Sequence, residues 1–327
     1  MNKFRKFWMS FVLLMLVLFA AYCVRDKMQT DSSGPVISVE KEAIEVSIHD
    51  GDDVLLQGVT AKDKKDGDVT DSLIVEKISN FYEDGKRTVT YAAFDSDNHI
   101  SKVQRELSYT DYVSPRFSMS ASPRFKVGSS ANIDTIVSAE DCLDGDLSGK
   151  IKIHMDTTIN NRVTGLYPVE YMVTNSAGDT VTLPIDIEIY EAKNNEVQLN
   201  LKTYLVYYTG EDMNYKDYLK SVQKGNQEYA FEGVTLLESE SAEEETTVSE
   251  DTKKEVADSE DTDEDKTVTE DGQVQTTSAK IPKSRVRVDD SYVVSSKPGV
   301  YPVYLYYSSE TENGGSTGKE VLYVVVE

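Results

Sequence analysis

The sequence predicts an all-β protein: an N-terminal transmembrane helix, then three tandem β-sandwiches, the third carrying a long disordered acidic insertion. Three observations predict it. Short apolar–polar alternations are separated by Gly, Asp and Asn turns, the period of half-buried strands rather than of helices. The stretch Ala61–Thr70 (Ala-Lys-Asp-Lys-Lys-Asp-Gly-Asp-Val-Thr) recurs at Ala139–Ser148 (Ala-Glu-Asp-Cys-Leu-Asp-Gly-Asp-Leu-Ser), a domain-sized interval that marks tandem modules. Phe7 to Val24 is apolar and uncharged over about 18 residues, near the lower limit for crossing a bilayer.

Residues 1–6 form a short stub whose Lys3, Arg5 and Lys6 place it in the cytoplasm by the positive-inside rule, with the bulk of the chain outside the cell. Residues 7–24 read as an uncleaved signal anchor at the cell membrane. Cleavage near Ala20-Ala21-Tyr22, or lipidation at Cys23, are the other readings, and Tyr22 before Cys23 departs from the lipoprotein pattern. Residues 25–34 are a polar tether.

Module one spans 35–113. Val36, Ser38, Ile44, Val46 and Ile48 alternate with polar residues, Val54-Leu55-Leu56 is expected to continue a strand, and Val69–Ile78, Thr88–Phe94 and Ile100–Tyr109 supply the rest. Module two, 114–192, repeats the plan: Tyr171–Gly178 matches Tyr91–Asn98, and Leu183–Tyr190 closes it. Module three, 195–327, lacks the Asp-Gly-Asp phrase but keeps a second landmark. Gly165-Leu-Tyr-Pro-Val-Glu-Tyr171 returns as Gly299-Val-Tyr-Pro-Val-Tyr-Leu305. Asp217–Val222 reads as a helical turn or a strand. The insertion 238–280 has no aromatic residue and about half of the net charge of −24, so it cannot bury enough apolar surface to offset ordering entropy. Strands resume at Arg285–Val288.

These phrases resemble the bacterial immunoglobulin-like repeats of crystal-toxin and Gram-positive surface proteins. The resemblance implies three immunoglobulin-like sandwiches displayed on a bacterial surface and says little about ligand, because such scaffolds carry many roles. Lys-rich, Arg-poor usage agrees with that source.

Composition narrows the function classes. With a pI near 4.5 the chain repels phosphate backbones, so nucleic acid is not an expected partner. Cys23 and Cys142 build no disulfide framework, and His49, His99 and His154 are scattered without metal-ligand spacing. No nucleophile elbow, phosphate loop or His-Glu-x-x-His is present. The chain therefore reads as not an enzyme, with no cofactor.

Two sets of residues carry chemistry. Asp63, Asp66, Asp68, Asp141, Asp144 and Asp146 are calcium candidates, but their spacing gives no complete ligand set and turns are the favoured reading. In Tyr301–Tyr307, alternation sends Val303, Leu305 and Tyr307 inward and Tyr304 and Tyr306 outward, with Tyr204 and Tyr208 expected nearby. An exposed aromatic face docks a protein or stacks on sugar rings. The function expected is thus a non-catalytic, membrane-anchored extracellular stalk and interaction module for protein partners at the cell envelope. A glycan- or cell-wall-binding module using the tyrosines is the alternative.

Overall fold

The computed structural model describes residues 2–29, 33–83, 85–236, 275–309 and 315–327. Helix α1 (Asn2–Gln29) comes first; its stretch Phe4–Arg25, at mean hydropathy 2.4, buries nothing against the protein and is long enough to cross a membrane.

Everything else is dominated by strands, which fall into three sets. The first is β1 (Val36–Val39), β2 (Ala43–Val46), β3 (Val59–Asp63), β4 (Gly67–Asp68), β5 (Ile74–Ile78), β6 (Lys86–Phe94) and β7 (Ile100–Tyr109). The second is β8 (Arg116–Met119), β9 (Arg124–Lys126), β10 (Val137–Asp141), β11 (Gly145–Asp146), β12 (Lys152–His154), β13 (Gly165–Thr174) and β14 (Thr180–Tyr190). The third is β15 (Gln198–Leu201), β16 (Leu205–Tyr207), β17 (Leu219–Lys224), β18 (Gln227–Phe231), β19 (Gln275–Ile281), β20 (Val286–Asp289), β21 (Gly299–Ser309) and β22 (Ser316–Val326). Each set makes two sheets, β1-β3-β4 with β2-β7-β6-β5, β11-β10-β8 with β12-β13-β14-β9, and β15-β17-β18-β19 with β16-β22-β21-β20. This is a sandwich repeat.

One device recurs. The chain begins in the first sheet, crosses over, and pairs in parallel with the module's last strand: β2 with β7, β9 with β14, β16 with β22. Antiparallel pairing of β6 with β7 and of β21, which carries the Gly299-Val-Tyr-Pro phrase, with β22 then lays the preceding strand beside that last strand.

Three expectations change in detail. Val54-Leu55-Leu56 is not strand: Asp52–Leu55 is a single helical turn, α2, which buries Leu55 in the core. Val69–Ile78 is broken by a 3₁₀ turn at Thr70–Ser72 before β5 starts. Asp217–Val222 is both turn and strand, a 3₁₀ turn at Tyr215–Tyr218 running into β17. Of the expected insertion 238–280, residues 238–274 lie outside the described residues. Its end is ordered as β19, which pairs in parallel with β18. Parallel neighbours cannot be joined by a tight turn, so a long connection belongs at this point.

By contacts the described chain forms two compact units, and the division runs through module two. The first unit comprises Met1–Arg116, Ala139–Ile151 and Met172–Val181. Its core includes Val59, Ala61, Val89, Tyr91 and Leu107. Within it the Tyr112 hydroxyl donates to Asp179 Oδ2 (2.6 Å) and accepts from Asn175 Nδ2 (2.9 Å), while the Phe81 ring lies 4.5 Å from Tyr112. The second unit comprises Phe117–Ser138, Lys152–Tyr171 and Thr182–Glu327, with Leu183, Ile187, Leu199, Leu219, Leu305 and Leu322 among its buried residues.

The landmark tyrosines are core residues with a hydroxyl to satisfy. Tyr91 donates to Leu55 O (2.6 Å) and Tyr171 to Ile133 O (2.8 Å), and both rings are fully buried. Tyr171→Phe keeps the ring and removes the donor from the part-buried Ile133 carbonyl. It is expected to lower stability by about 1–2 kcal/mol in denaturant unfolding, with the slope m unchanged.

Candidate functional site

The six aspartates come first. Asp63 Oδ1 accepts the amides of Lys65 (2.7 Å) and Asp66 (2.9 Å), and Asp141 Oδ2 those of Leu143 (2.9 Å) and Asp144 (3.0 Å). Asp68 and Asp146 accept the amides of Thr70 and Ser148, whose hydroxyls accept Ala61 N and Ala139 N. Asp66 and Asp144 take both the amide and the hydroxyl of Ser96 and Ser176. Gly67 and Gly145 sit at φ of 76° and 71°, the conformation that closes each hairpin. The carboxylates thus organise turns, and among the described residues no three His, Cys, Asp or Glu side chains converge on one point.

The two copies differ at one buried atom. In module two Asp141 Oδ1 accepts Asn175 Nδ2 at 3.1 Å. Module one has Asp95 where module two has Asn175, and an aspartate offers no such donor. Asp63 Oδ2 is accordingly buried without a hydrogen bond. Asp95 is itself buried, with Oδ2 at 2.9 Å from His99 Nδ1 and Oδ1 accepting the amides of Asp97 and His99. Burial works to raise its carboxyl, but these donors outweigh it and hold Asp95 below the usual range.

The tyrosine face forms in the second unit. Val303, Leu305 and Tyr307 point into the core as alternation predicts, and Tyr304 and Tyr306 stand half-exposed on the other face of β21. Opposite Tyr306 the register places Arg287 on β20 and Lys319 on β22. Arg287 Cζ lies 4.4 Å from the Tyr306 ring centroid and Lys319 Nζ 4.8 Å from that of Tyr304. Tyr292 meets Tyr304 edge-on, 5.8 Å apart at 82°, and Tyr304 and Tyr306 are 6.5 Å apart at 39°. Tyr204 is a correction: it is 4 % exposed and belongs to the core, where its hydroxyl accepts Leu201 N. Tyr208 follows β16, which β22 separates from β21, and it makes no ring contact with Tyr304 or Tyr306 among the described residues.

Beside this face opens a cleft of about 590 Å³, lined by Arg124, Glu188, Tyr190, Arg287, Tyr306 and Lys319 among others. Its floor is an ion network. Arg124, 5 % exposed, donates Nε to Glu188 Oε2 (2.8 Å) and Nη1 to Lys319 O, and stacks 4.2 Å from the Tyr190 centroid. Lys319 Nζ reaches Glu188 at 3.0 Å. Burial pushes the Glu188 carboxyl up, but Arg124 and Lys319 outweigh it and leave it below the ordinary range. Next to them Glu320 is buried, accepting Ser122 Oγ at 2.8 Å and its neighbour Val321 N, and burial pushes its carboxyl up to about 7 against the opposing pull of Arg124. Sequence reading found Tyr304 and Tyr306 but missed Arg124, Glu188, Arg287 and Lys319. Alternation along β14 and β22 marks the faces of Glu188 and Lys319, and no local signal says that they meet Arg124 of β9 and Arg287 of β20.

No protein-family model matches the chain, and no curated protein does. Among solved structures, CBM51-2 with INT domains of Clostridium perfringens ZmpB, in complex with GlcNAc, is 18% identical over 46% of this chain and 26% of that one (TM-score 0.19). The M60 catalytic domain of the same ZmpB with CBM51-1 and CBM51-2 is 12% identical over 90% and 31% (TM-score 0.18), and protocadherin gammaB7 EC3-6 is 9% identical over 90% and 74% (TM-score 0.19). This chain therefore spans less than a third of either ZmpB chain. Likenesses of this size carry no weight for function, and the fold rests on the protein's own sheets.

Two outcomes are expected. Asp95→Asn supplies the donor that Asp63 Oδ2 lacks and should stabilise the protein by roughly 1 kcal/mol, read as a higher Tm; a lower Tm would mean that the Asp95 charge on His99 matters more. For Glu320, the folded protein keeps a proton that the unfolded chain loses near pH 4.5, so stability falls as pH rises from 4.5 to about 7. The span is on the order of 3 kcal/mol. Glu320→Gln should flatten chemical-denaturation midpoints between pH 5 and 7.5.

Proposed function

We propose that the protein is a non-catalytic, membrane-anchored display protein whose third module presents a docking face to a protein partner at the cell envelope. Helix α1 supplies the anchor, and Lys3, Arg5 and Lys6 ahead of the apolar run favour a cytoplasmic N-terminus with the sandwiches outside. The observation that carries the choice of partner is the ring geometry. A sugar-stacking platform needs open ring faces, whereas Tyr304 and Tyr306 are capped by Lys319 and Arg287 and meet their neighbours tilted or edge-on. Clustered Tyr and Arg beside a cleft, rimmed by charges, match the composition of protein–protein hot spots. No catalytic step and no cofactor enter this reading.

A photo-crosslinking amino acid at Tyr306 on intact cells tests it. The expected result is a discrete protein adduct that Arg287→Ala weakens at least tenfold, as loss of an arginine hot spot does. Absence of any adduct, together with polysaccharide retention that disappears in Tyr304→Ala/Tyr306→Ala, would replace the protein partner with a glycan.

A further inference from the structure

Arg105 lies on β7 in the core of the first unit, 5 % exposed. Continuing the Tyr91–Asn98 match without a gap, the same position in module two is Ile185. In module three it is Leu322, counted back along β22 from Val326 opposite Gly299, as Arg105 is counted back from Tyr109, whose amide donates to Gly85 O. Both counterparts are buried apolar residues, so module one alone places a charge there. Burying a guanidinium is costly unless a partner carboxylate compensates it. Among the described residues none does. Nη1 donates to Gln57 O at 3.0 Å and Nη2 to Ala43 O at 3.5 Å, and Nε has no hydrogen-bond partner. The adjacent Tyr91 hydroxyl, whose proton is directed to Leu55 O, carries no charge to offset it.

The arginine is not sealed in. It lines a cavity of about 700 Å³ with Glu40, Lys41, Ala43, Glu45 and Gln57, under the segment that carries the chain from β1 in one sheet to β2 in the other. In module three the corresponding crossover is plugged by the buried Tyr204. Ala43 and Gln57, whose carbonyls hold the two Nη atoms, are themselves walls of the cavity, so the guanidinium fork is at its edge. Each Nη has two N–H groups and spends one on a carbonyl, so the guanidinium keeps donor capacity for the oxygens of a bound carboxylate. Lys41 on the wall adds a second positive charge, and Glu40 and Glu45 accept hydroxyl or ammonium donors.

From the unmatched Arg105 fork and the cavity it borders, we infer a binding site for a small monocarboxylate bearing hydroxyl or ammonium groups, of the sugar-acid or amino-acid kind. The site is separate from the tyrosine face and stands whether or not that face docks a protein.

Equilibrium dialysis of the full chain in detergent micelles tests it, with labelled glucuronate and labelled alanine as probes and glucose as the neutral control. Saturable binding of glucuronate or of alanine, with none of glucose, is expected, and which probe binds identifies the ligand as sugar acid or amino acid. Arg105→Leu, which copies the module-three core, should abolish binding while leaving the melt cooperative. Should that variant fail to fold, Arg105→Lys decides: a single ammonium cannot grip two oxygens, and affinity should drop about tenfold. Binding of neither carboxylate by the wild type, or undiminished affinity in the folded variants, overturns the inference.

Discussion

Each module begins in one sheet and must end paired to the last strand of the other, and much of the structure follows from that crossover. The parallel pair β2–β7, with its counterparts β9–β14 and β16–β22, closes the sandwich edge with backbone hydrogen bonds. The crossing segment leaves its own carbonyls and amides without a ladder, and buried backbone groups need partners. Each module meets that demand differently. Arg105 holds Ala43 O in module one, Ser122 engages Glu320 at the crossover of module two, and Thr203 and Tyr204 fill the crossover of module three. The most unusual buried chemistry in the protein sits at these points because the ladder is interrupted there.

An acidic protein is not an acidic core. The turn aspartates of modules one and two are held by amides and hydroxyls. Those on Asp63, Asp68, Asp141 and Asp146 lie a few residues away, and those on Asp66 and Asp144 come from the facing turn at Ser96 and Ser176, so their charge is spent on backbone geometry. Among the described residues the buried charges are few, and their environments set their protonation. Glu188 stays ionised between Arg124 and Lys319, while Glu320, close by but deeper, is pushed towards neutrality. One guanidinium supports the first carboxylate fully and the second only in part, which is why adjacent acids differ.

The tyrosine face owes its character to that network. Lys319 bridges Glu188 and the Tyr304 ring, and Arg124 stacks on Tyr190 while fixing Glu188, so cations, rings and carboxylate hold one another in place. Such mutual restraint preorganises the face, and the proposed docking would lose correspondingly less entropy.

Repetition and alternation, both local properties, made much legible in the sequence alone. The period of two placed Val303, Leu305 and Tyr307 inside and Tyr304 and Tyr306 outside, and the recurrence of Asp-Gly-Asp and Gly-x-Tyr marked the hairpins and the central strands of the sandwiches. Tertiary structure decided the rest. Leu55 forms a helical turn because burial against the core outweighs the weak preference of four residues. Gln275–Ile281 becomes a strand because β18 offers it a ladder, although its neighbours in sequence look too polar to order. Tyr204 is buried because a crossover must be plugged. Arg105 and Glu320 read as ordinary surface charges until the strand register puts them inside. Alternation says which residues share a face, but the free energy of a buried charge depends on what stands opposite, and that is set by strands far away in sequence.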